Sequence, residues 1–375
     1  MALSYWERNT LQHYDLMVVG SGLVGLSTAY HYATSFPNKT VVVIERGLFP
    51  TGASTKNAGF ACFGSLSELK DTASTMGNDG MIELVEQRYK GGLELRALLG
   101  DDAIGYRPVG GMELGFEAMS STDIALMNER LQPLFKEPVF LEQNERISEF
   151  GFSEAVVSLT KNKFEGTIDT GKMMQTFMRR CSQAGVTFLT QTEVLDVLPG
   201  AYPKVEVNVG GDRVALHAQQ IALCTNAFTQ RFIPETDVRP GRGLVLVSKP
   251  IKNWHLEGSF HYHSGYNYFR TIGGRLLLGG GRCLDLEGEQ TFEFGTNPTI
   301  YNALVKDMHT LIAPGKNLEV DYHWSGIMAF GTTKQPQLKR VEQGVYAAFG
   351  MGGMGVAIGC GMGRELAEMM AEENA

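Results

Sequence analysis

Six residues, Gly20-Ser21-Gly22-Leu23-Val24-Gly25, and one acid, Glu45, have the types and spacing to hold a dinucleotide. Gly20 permits a tight turn. Gly22 lets backbone approach a pyrophosphate with no Cβ in the way, and Gly25 lets a helix pack closely on a strand. The helix start that follows points free N–H groups and a partial positive charge at the phosphates. Glu45 lies twenty residues past Gly25, where a carboxylate accepts hydrogen bonds from ribose hydroxyls. In a chain with 45 glycines, such a run by itself can be an ordinary turn. The flanks give it meaning: an apolar strand over 16–19, a helix over 26–36, and a second apolar strand over 40–44 that ends on the acid.

The same logic returns near the other end. Val345-Tyr346-Ala347-Ala348-Phe349 runs into Gly350-Met351-Gly352-Gly353-Met354-Gly355, and a helix follows. A helix start stabilises negative charge. A nicotinamide enzyme has little use for a second one. A flavin does, because reduction places negative charge near N1 and O2 of its ring. The pair of turns points to FAD rather than NAD. An NAD-dependent dehydrogenase using only the first turn and a flavin-binding module without turnover are the alternatives. Between the two turns, the small-residue loop Gly52-Ala53-Ser54-Thr55-Lys56-Asn57-Ala58-Gly59 directly follows the acid. It suits backbone lying close against a flat or charged ligand.

The elements that must position these residues follow from the rest of the chain. With 375 residues, 43% of them hydrophobic, it can bury a large core and form two domains. A net charge of −8 argues against nucleic acid. No apolar run approaches a membrane span, and residues 1–14 lack a signal-peptide core. Five scattered cysteines with no CxxC or zinc-like spacing suggest free thiols in the cytoplasm and no metal. Helices are expected over 65–99, 122–135, 167–184 (capped by Asp169 or Thr170), 299–311 and 355–371. Strands are expected within 104–116, at 186–190 and 193–197, in a hairpin over 205–209 and 213–216, and at 219–224, ending in Thr225. Short aromatic strands at 245–247, 260–263, 266–270 and 275–278, then 318–330 and 345–349, complete the set. The expected fold is α/β: a Rossmann-like FAD-binding domain from 1–100, 150–240 and 320–375, interleaved with an α+β antiparallel-sheet substrate domain from 101–149 and 241–319.

Four blocks together resemble the D-amino-acid oxidase/glycine oxidase superfamily of FAD-dependent oxidoreductases. They are 18–25 with Glu45-Arg46, the Gly52–Gly59 loop, Trp324-Ser325-Gly326, and Gly350–Gly355 running into the last helix. Tyr266-Asn267-Tyr268-Phe269-Arg270, 275–282 and 324–330 are similar to the gamma-glutamylputrescine oxidase-like branch. The resemblance implies oxidation of a C–N bond in a primary or secondary amine or an amino acid, with hydride passing to flavin N5 and an imine left behind. It implies FAD contacts at Gly20, Ser21, Gly22, Leu23, Val24, Gly25, Glu45, Arg46, Ala53, Ser54, Thr55, Asn57, Ala58 and Gly59. Val194 (its backbone toward the adenine), Thr225, Gly326, Gly352, Gly353, Met354 and Gly355 join them.

Two departures bear on the substrate. Family members acting on simple amino acids often carry an arginine after Trp-x-Gly, where this chain has Ile327 and Met328. Arg270 and Arg282 are then the candidates for a substrate carboxylate, with Tyr268 in the same pocket, unless the substrate lacks a carboxylate. His261, His263 and Tyr266 are further pocket candidates. The sarcosine-oxidase branch places a lysine over the flavin, where this chain reads Leu276-Leu277-Leu278. That leaves the electron acceptor open between oxygen and another oxidant.

Overall fold

The computed structural model describes residues 4–252, 254 and 256–373. The apolar strand His13–Val19 lies at the centre of an eight-stranded sheet. Val41–Ile44 and Thr187–Leu189 extend the sheet on one side. Asp212–Leu223, Val345–Phe349 and Gln337–Glu342 extend it on the other. All but the last of these pair in parallel, and both faces are covered. Leu16, Val18, Val41 and Val43 point into one apolar core, Met17, Val19, Val42 and Ile44 into another. That two-sided burial is why these strands read as unbroken apolar runs rather than alternating ones. Burying a side chain of this size contributes about 1.5–3 kcal/mol.

Asp212–Leu223 is one long strand where the sequence pattern suggests two. Its first half forms the expected hairpin with Lys204–Val209, closing at Val209 opposite Asp212. Its second half pairs with His13–Val19. Asp169 caps the helix Thr170–Gln183, accepting from Lys172 N–H, and Gly185 follows with φ +86°. The helix Leu66–Leu99 is capped by Ser65 and broken in its path by Gly77 (φ 76°).

The second eight-stranded sheet is mostly antiparallel. Across it lie Val320–Phe330, Arg239–Ser248, Arg275–Gly280, Asn267–Ile272, Ser259–Tyr262, Gly111–Gly115, Ser158–Asn162 and Phe140–Glu142. One face packs Phe260, Phe269, Leu276 and Leu278 against the helix Pro298–Asp307. The other turns toward the first domain. Two of its strands, Ser158–Asn162 and Val320–Phe330, come from segments that the expected boundaries group with the nucleotide layer. Val320–Phe330 pairs along its length with Arg239–Ser248, so the Trp324-Ser325-Gly326 block reaches the first domain from the second sheet.

The first helix (Leu23–Ser35) and the last (Gly355–Glu372) lie against each other. A Cβ on Gly363 would stand 2.5 Å from the carbonyl oxygen of Val24, so the two backbones touch. This packing holds the two helix starts side by side. Among the described residues no helix is long and apolar enough to cross a membrane.

Glu165 joins the two sheets' connecting segments. Only 1% exposed, it accepts from the N–H groups of Phe63 (2.9 Å) and Gly64 (3.0 Å). Burial outweighs those bonds and pushes its carboxyl up to about 8 from the ordinary 4.5. The folded chain therefore holds a proton that the unfolded chain releases. This contribution is complete below pH 4.5 and is lost as pH rises through about 8. Glu165→Gln removes the titration. Its melting temperature is expected to gain on the parent's steadily from pH 5 to pH 8, and a difference constant with pH would overturn the assignment.

Candidate active site

A cavity of about 620 Å³ is walled at one end by Gly20–Val24 and Glu45 and at the other by Tyr268, Arg282 and the Gly352–Gly355 turn. Its first end is built by the glycine turn. Gly20 has φ +103°, and a Cβ there would lie 2.7 Å from the Cys224 carbonyl oxygen. Gly25 sits behind the wall, its missing Cβ only 1.9 Å from the Gly20 carbonyl oxygen. The helix beyond starts at Gly22 with no capping side chain. Of its first amides Leu23 N–H is taken by Ser54 Oγ at 2.9 Å. The rest of that helix start faces the cavity, as an anion site requires.

Glu45, 5% exposed, accepts from Ser21 Oγ (2.6 Å) and N–H (3.3 Å), Gly47 N–H (3.0 Å), and Thr51 Oγ1 (2.9 Å) and N–H (3.4 Å). Its carboxylate therefore ties the glycine turn to the 47–51 loop, a task beyond the ribose contact suggested by spacing. Glu45→Gln would present an NH₂ to some of these donors. The dissociation constant for FAD is expected to rise at least tenfold with the circular dichroism spectrum unchanged. Titration of the apoprotein by flavin fluorescence checks this, and an unaltered affinity counts against the role.

Arg46, Val194 and Thr225 stand at the same wall. The Arg46 guanidinium lies 4.0 Å from the Phe228 ring centre. Ala53, Ser54, Asn57 and Ala58 reach the cavity, whereas Thr55 and Gly59 lie outside its lining and shape the loop. Thr55 Oγ1 donates to the Pro50 carbonyl (2.7 Å). Asn57 Oδ1 accepts from Gly59 N–H (2.9 Å) and Thr170 Oγ1 (2.7 Å). Trp324 Nε1 donates to the Lys56 carbonyl at 2.9 Å, and Gly326 leaves room for Lys56, whose Cβ a side chain there would meet at 2.7 Å. So the Trp-x-Gly block packs the loop against the second sheet.

At the other end Met354 precedes the last helix without a capping side chain. Gly352, Gly353, Met354 and Gly355 all line the cavity. Asn226 Oδ1 accepts from Gly350 N–H (3.1 Å), linking this turn to the strand end at Thr225.

The two arginine candidates part ways. Arg270 is buried behind the loop, away from the cavity lining. Its Nη1 donates to the carbonyls of Gly59 (2.6 Å) and Ile168 (2.8 Å), and burial draws its pKa down to about 10. It clamps the loop. Arg282 lies in the cavity wall, its guanidinium stacked 4.0 Å from the Phe330 ring centre and making no hydrogen bond or ion pair to any described residue. Tyr268 is beside the cavity too, its hydroxyl pushed up to about 12 by burial and so protonated. Ile327 is core, while Met328 lines the cavity. Leu277 packs with Ala58 and Val245 against the loop. His263 sits in a turn against Phe116, outside the lining.

Sequence reasoning gave no role to Lys56 or Glu68, which line the cavity together with Cys62. Burial raises the Cys62 thiol well above its ordinary range, which keeps it protonated.

Two helix starts that border one cavity, with a further wall from a second sheet, define a dinucleotide-binding protein. The family model described as DAO, FAD dependent oxidoreductase, matches residues 15–369. The chain belongs to this family. It is 24% identical to gamma-glutamylputrescine oxidoreductase of Escherichia coli, over 95% of this chain and 83% of that protein. The structure of glycine oxidase from Geobacillus kaustophilus superposes with a TM-score of 0.75 at 20% identity, covering 96% of this chain and 95% of that one. L-proline dehydrogenase from P. horikoshii gives a TM-score of 0.75 at 18% identity, over 96% and 94%.

FAD is the family's cofactor, and the residues present fit it. Gly20 and Gly22 bring bare backbone to the cavity wall where a Cβ would meet the Cys224 backbone or Ser54, and two helix starts without an N-cap side chain border the same space, with Leu23 N–H of the first taken by Ser54 Oγ.

Proposed function

We propose that this chain oxidises the C–N bond of an amine or amino acid, with Arg282 receiving a carboxylate of the substrate. One observation carries the reading. The cavity that holds the dinucleotide cradle continues to an arginine whose guanidinium has no hydrogen-bonding or ionic partner among the described residues. A charged group set in a protein wall without a counter-ion is suited to take one from a ligand. Gamma-glutamylputrescine oxidoreductase, glycine oxidase and L-proline dehydrogenase, by their names, act on nitrogen compounds, which supports the same reading.

FAD, when bound, supplies the two-electron acceptor for hydride from the carbon bearing nitrogen. This chain's residues do the rest. Arg282 orients the substrate, while Phe60, Tyr268 and Met328 wall the reacting end and exclude water. The start of the last helix offers partial positive charge where negative charge develops. A cytoplasmic setting fits the five free cysteines.

Anaerobic addition of an amine and amino-acid panel to the yellow holoprotein tests the proposal. Bleaching of the flavin by at least one compound is expected. A flavin that stays oxidised with every compound overturns it. Admission of air to the bleached protein then tells oxygen from another acceptor.

A further inference from the structure

Glu68 lies in the first turn of the helix Leu66–Leu99, and its side chain, 15% exposed, lines the cavity. Arg88, buried on the same helix beyond the Gly77 break, donates through Nη1 to Glu68 Oε1 (3.1 Å) and to the Phe63 carbonyl (2.8 Å). That contact fixes the carboxylate and occupies one of its oxygens. Oε2 accepts no hydrogen bond from any described residue, and it keeps accessible surface, unlike the sealed polar atoms of the interior. It faces the Ser264-Gly265-Tyr266 turn, where a Cβ on Gly265 would stand 3.4 Å away. Those three residues line the same cavity. The Tyr266 carbonyl accepts from Gly281 N–H (3.1 Å), which sets Arg282 beside the end of the turn. Glu68 and Arg282 do not pair with each other, since the ion pair of Glu68 among the described residues is with Arg88. Lys334, another cation of the cavity wall, donates to Thr72 Oγ1 (2.7 Å). An open carboxylate oxygen and an open guanidinium thus stand at the two ends of one turn.

We propose that Glu68 Oε2 takes a second, non-reacting ammonium group of the substrate, so that the preferred substrates are diamino carboxylic acids with their carboxylate on Arg282. The inference rests on the amine reading above. Hydride leaves a carbon only when the attached nitrogen is neutral and its lone pair free. A carboxylate in contact with that nitrogen would hold it as an ammonium ion. Glu68 therefore suits a nitrogen that stays charged, and not the one that is oxidised. An ammonium group brings three donors, and one of them meets Oε2 in a charge-assisted hydrogen bond. Because Arg88 occupies Oε1, the carboxylate offers its free oxygen in one direction only, toward the turn. The same arrangement rejects other ligands. An apolar group at this place covers Oε2 and leaves it unpaired, and a second carboxylate meets like charge.

The test follows anaerobic flavin reduction with pairs of compounds that differ by a second nitrogen. Lysine is compared with norleucine, ornithine with norvaline, and 1,5-diaminopentane with pentylamine, using both enantiomers of each amino acid. Nε-acetyl-lysine keeps the second nitrogen and removes its charge. In the parent, the reduction rate constant divided by the dissociation constant is expected to favour the diamino member of each reactive pair about tenfold, with Nε-acetyl-lysine no better than norleucine. Glu68→Gln keeps the shape and removes the charge. It is expected to erase the preference and to change the monoamino compounds by less than about twofold. Glu68→Gln also takes the counter-ion from Arg88, so the parent's choice among lysine, norleucine and Nε-acetyl-lysine serves as the test if that variant does not fold. A parent that treats these three alike overturns the assignment. So does a folded Glu68→Gln variant that keeps the preference, or one that slows both members of a pair equally. Bleaching confined to amines outside these pairs overturns it as well. In each of these cases a bleached flavin leaves the amine reading standing. A parent flavin that no amine bleaches overturns both together.

Discussion

Gly25→Ala is expected to lose FAD at any practical concentration and to melt well below the parent. The added Cβ would stand 1.9 Å from the Gly20 carbonyl oxygen and 3.2 Å from a Val18 methyl group. Neither neighbour can give way cheaply. The oxygen belongs to the turn that shapes the cradle, and Val18 is fully buried in the central strand. Overpacking a core by one methyl costs about 1–3 kcal/mol when side chains can shift, and more when backbone must. Here the backbone that must shift is the binding site itself, so stability and affinity fall together. We expect the FAD dissociation constant to rise at least a hundredfold, and the apoprotein's melting temperature to drop as well. A variant that purifies yellow and melts like the parent would show that helix and turn do not touch as described.

The second large effect falls on Arg282. Arg282→Met keeps an unbranched apolar stem but removes the charge and the guanidinium that lies over Phe330. Removing a charge-assisted, bidentate pair of hydrogen bonds from a desolvated site costs about 2–3 kcal/mol. The rate constant for flavin reduction divided by the dissociation constant should fall about a hundredfold for amines that carry a carboxylate. Arg282→Lys should recover only part of that activity, because an ammonium group cannot reproduce the planar fork. Amines without a carboxylate should discriminate far less between parent and variant. Equal decreases for both kinds of amine would remove Arg282 from carboxylate recognition and place it in the packing around Phe330.

Arg270 shows why that experiment belongs to Arg282. Both arginines flank the same aromatic strands in sequence. Tyr268 and Arg270 share one face of Asn267–Ile272, two residues apart. Alternation therefore predicts that they point the same way, and they do. It carries no information on what stands opposite each position. Tyr268 meets the cavity, while Arg270, one step further along, meets the back of the Gly52–Gly59 loop and is occupied by its carbonyls. The same limit holds for His261, whose parity is readable in the sequence and whose place in the cavity wall is not.

Segment assignment follows a similar division. Strands, helices and caps are legible wherever the signal is local, as at Asp169, Gly185 and Val345–Phe349. The membership of Val320–Phe330 is not, because a strand's partner is chosen by residues some eighty positions away in Arg239–Ser248.

The glycine turn, its acid and the second turn near the C-terminus were determined by the sequence alone. Their requirements are local: a positive φ, a missing Cβ, a helix start after a strand. Tertiary structure decided what those turns share. The close packing of the first and last helices through Gly363 places two helix starts, more than three hundred residues apart in the chain, on one cavity. It also decided which arginine keeps a free guanidinium and which oxygen of Glu68 is left open beside Arg88. Those properties arise from burial and from what lies across a gap, and spacing along a chain does not encode them.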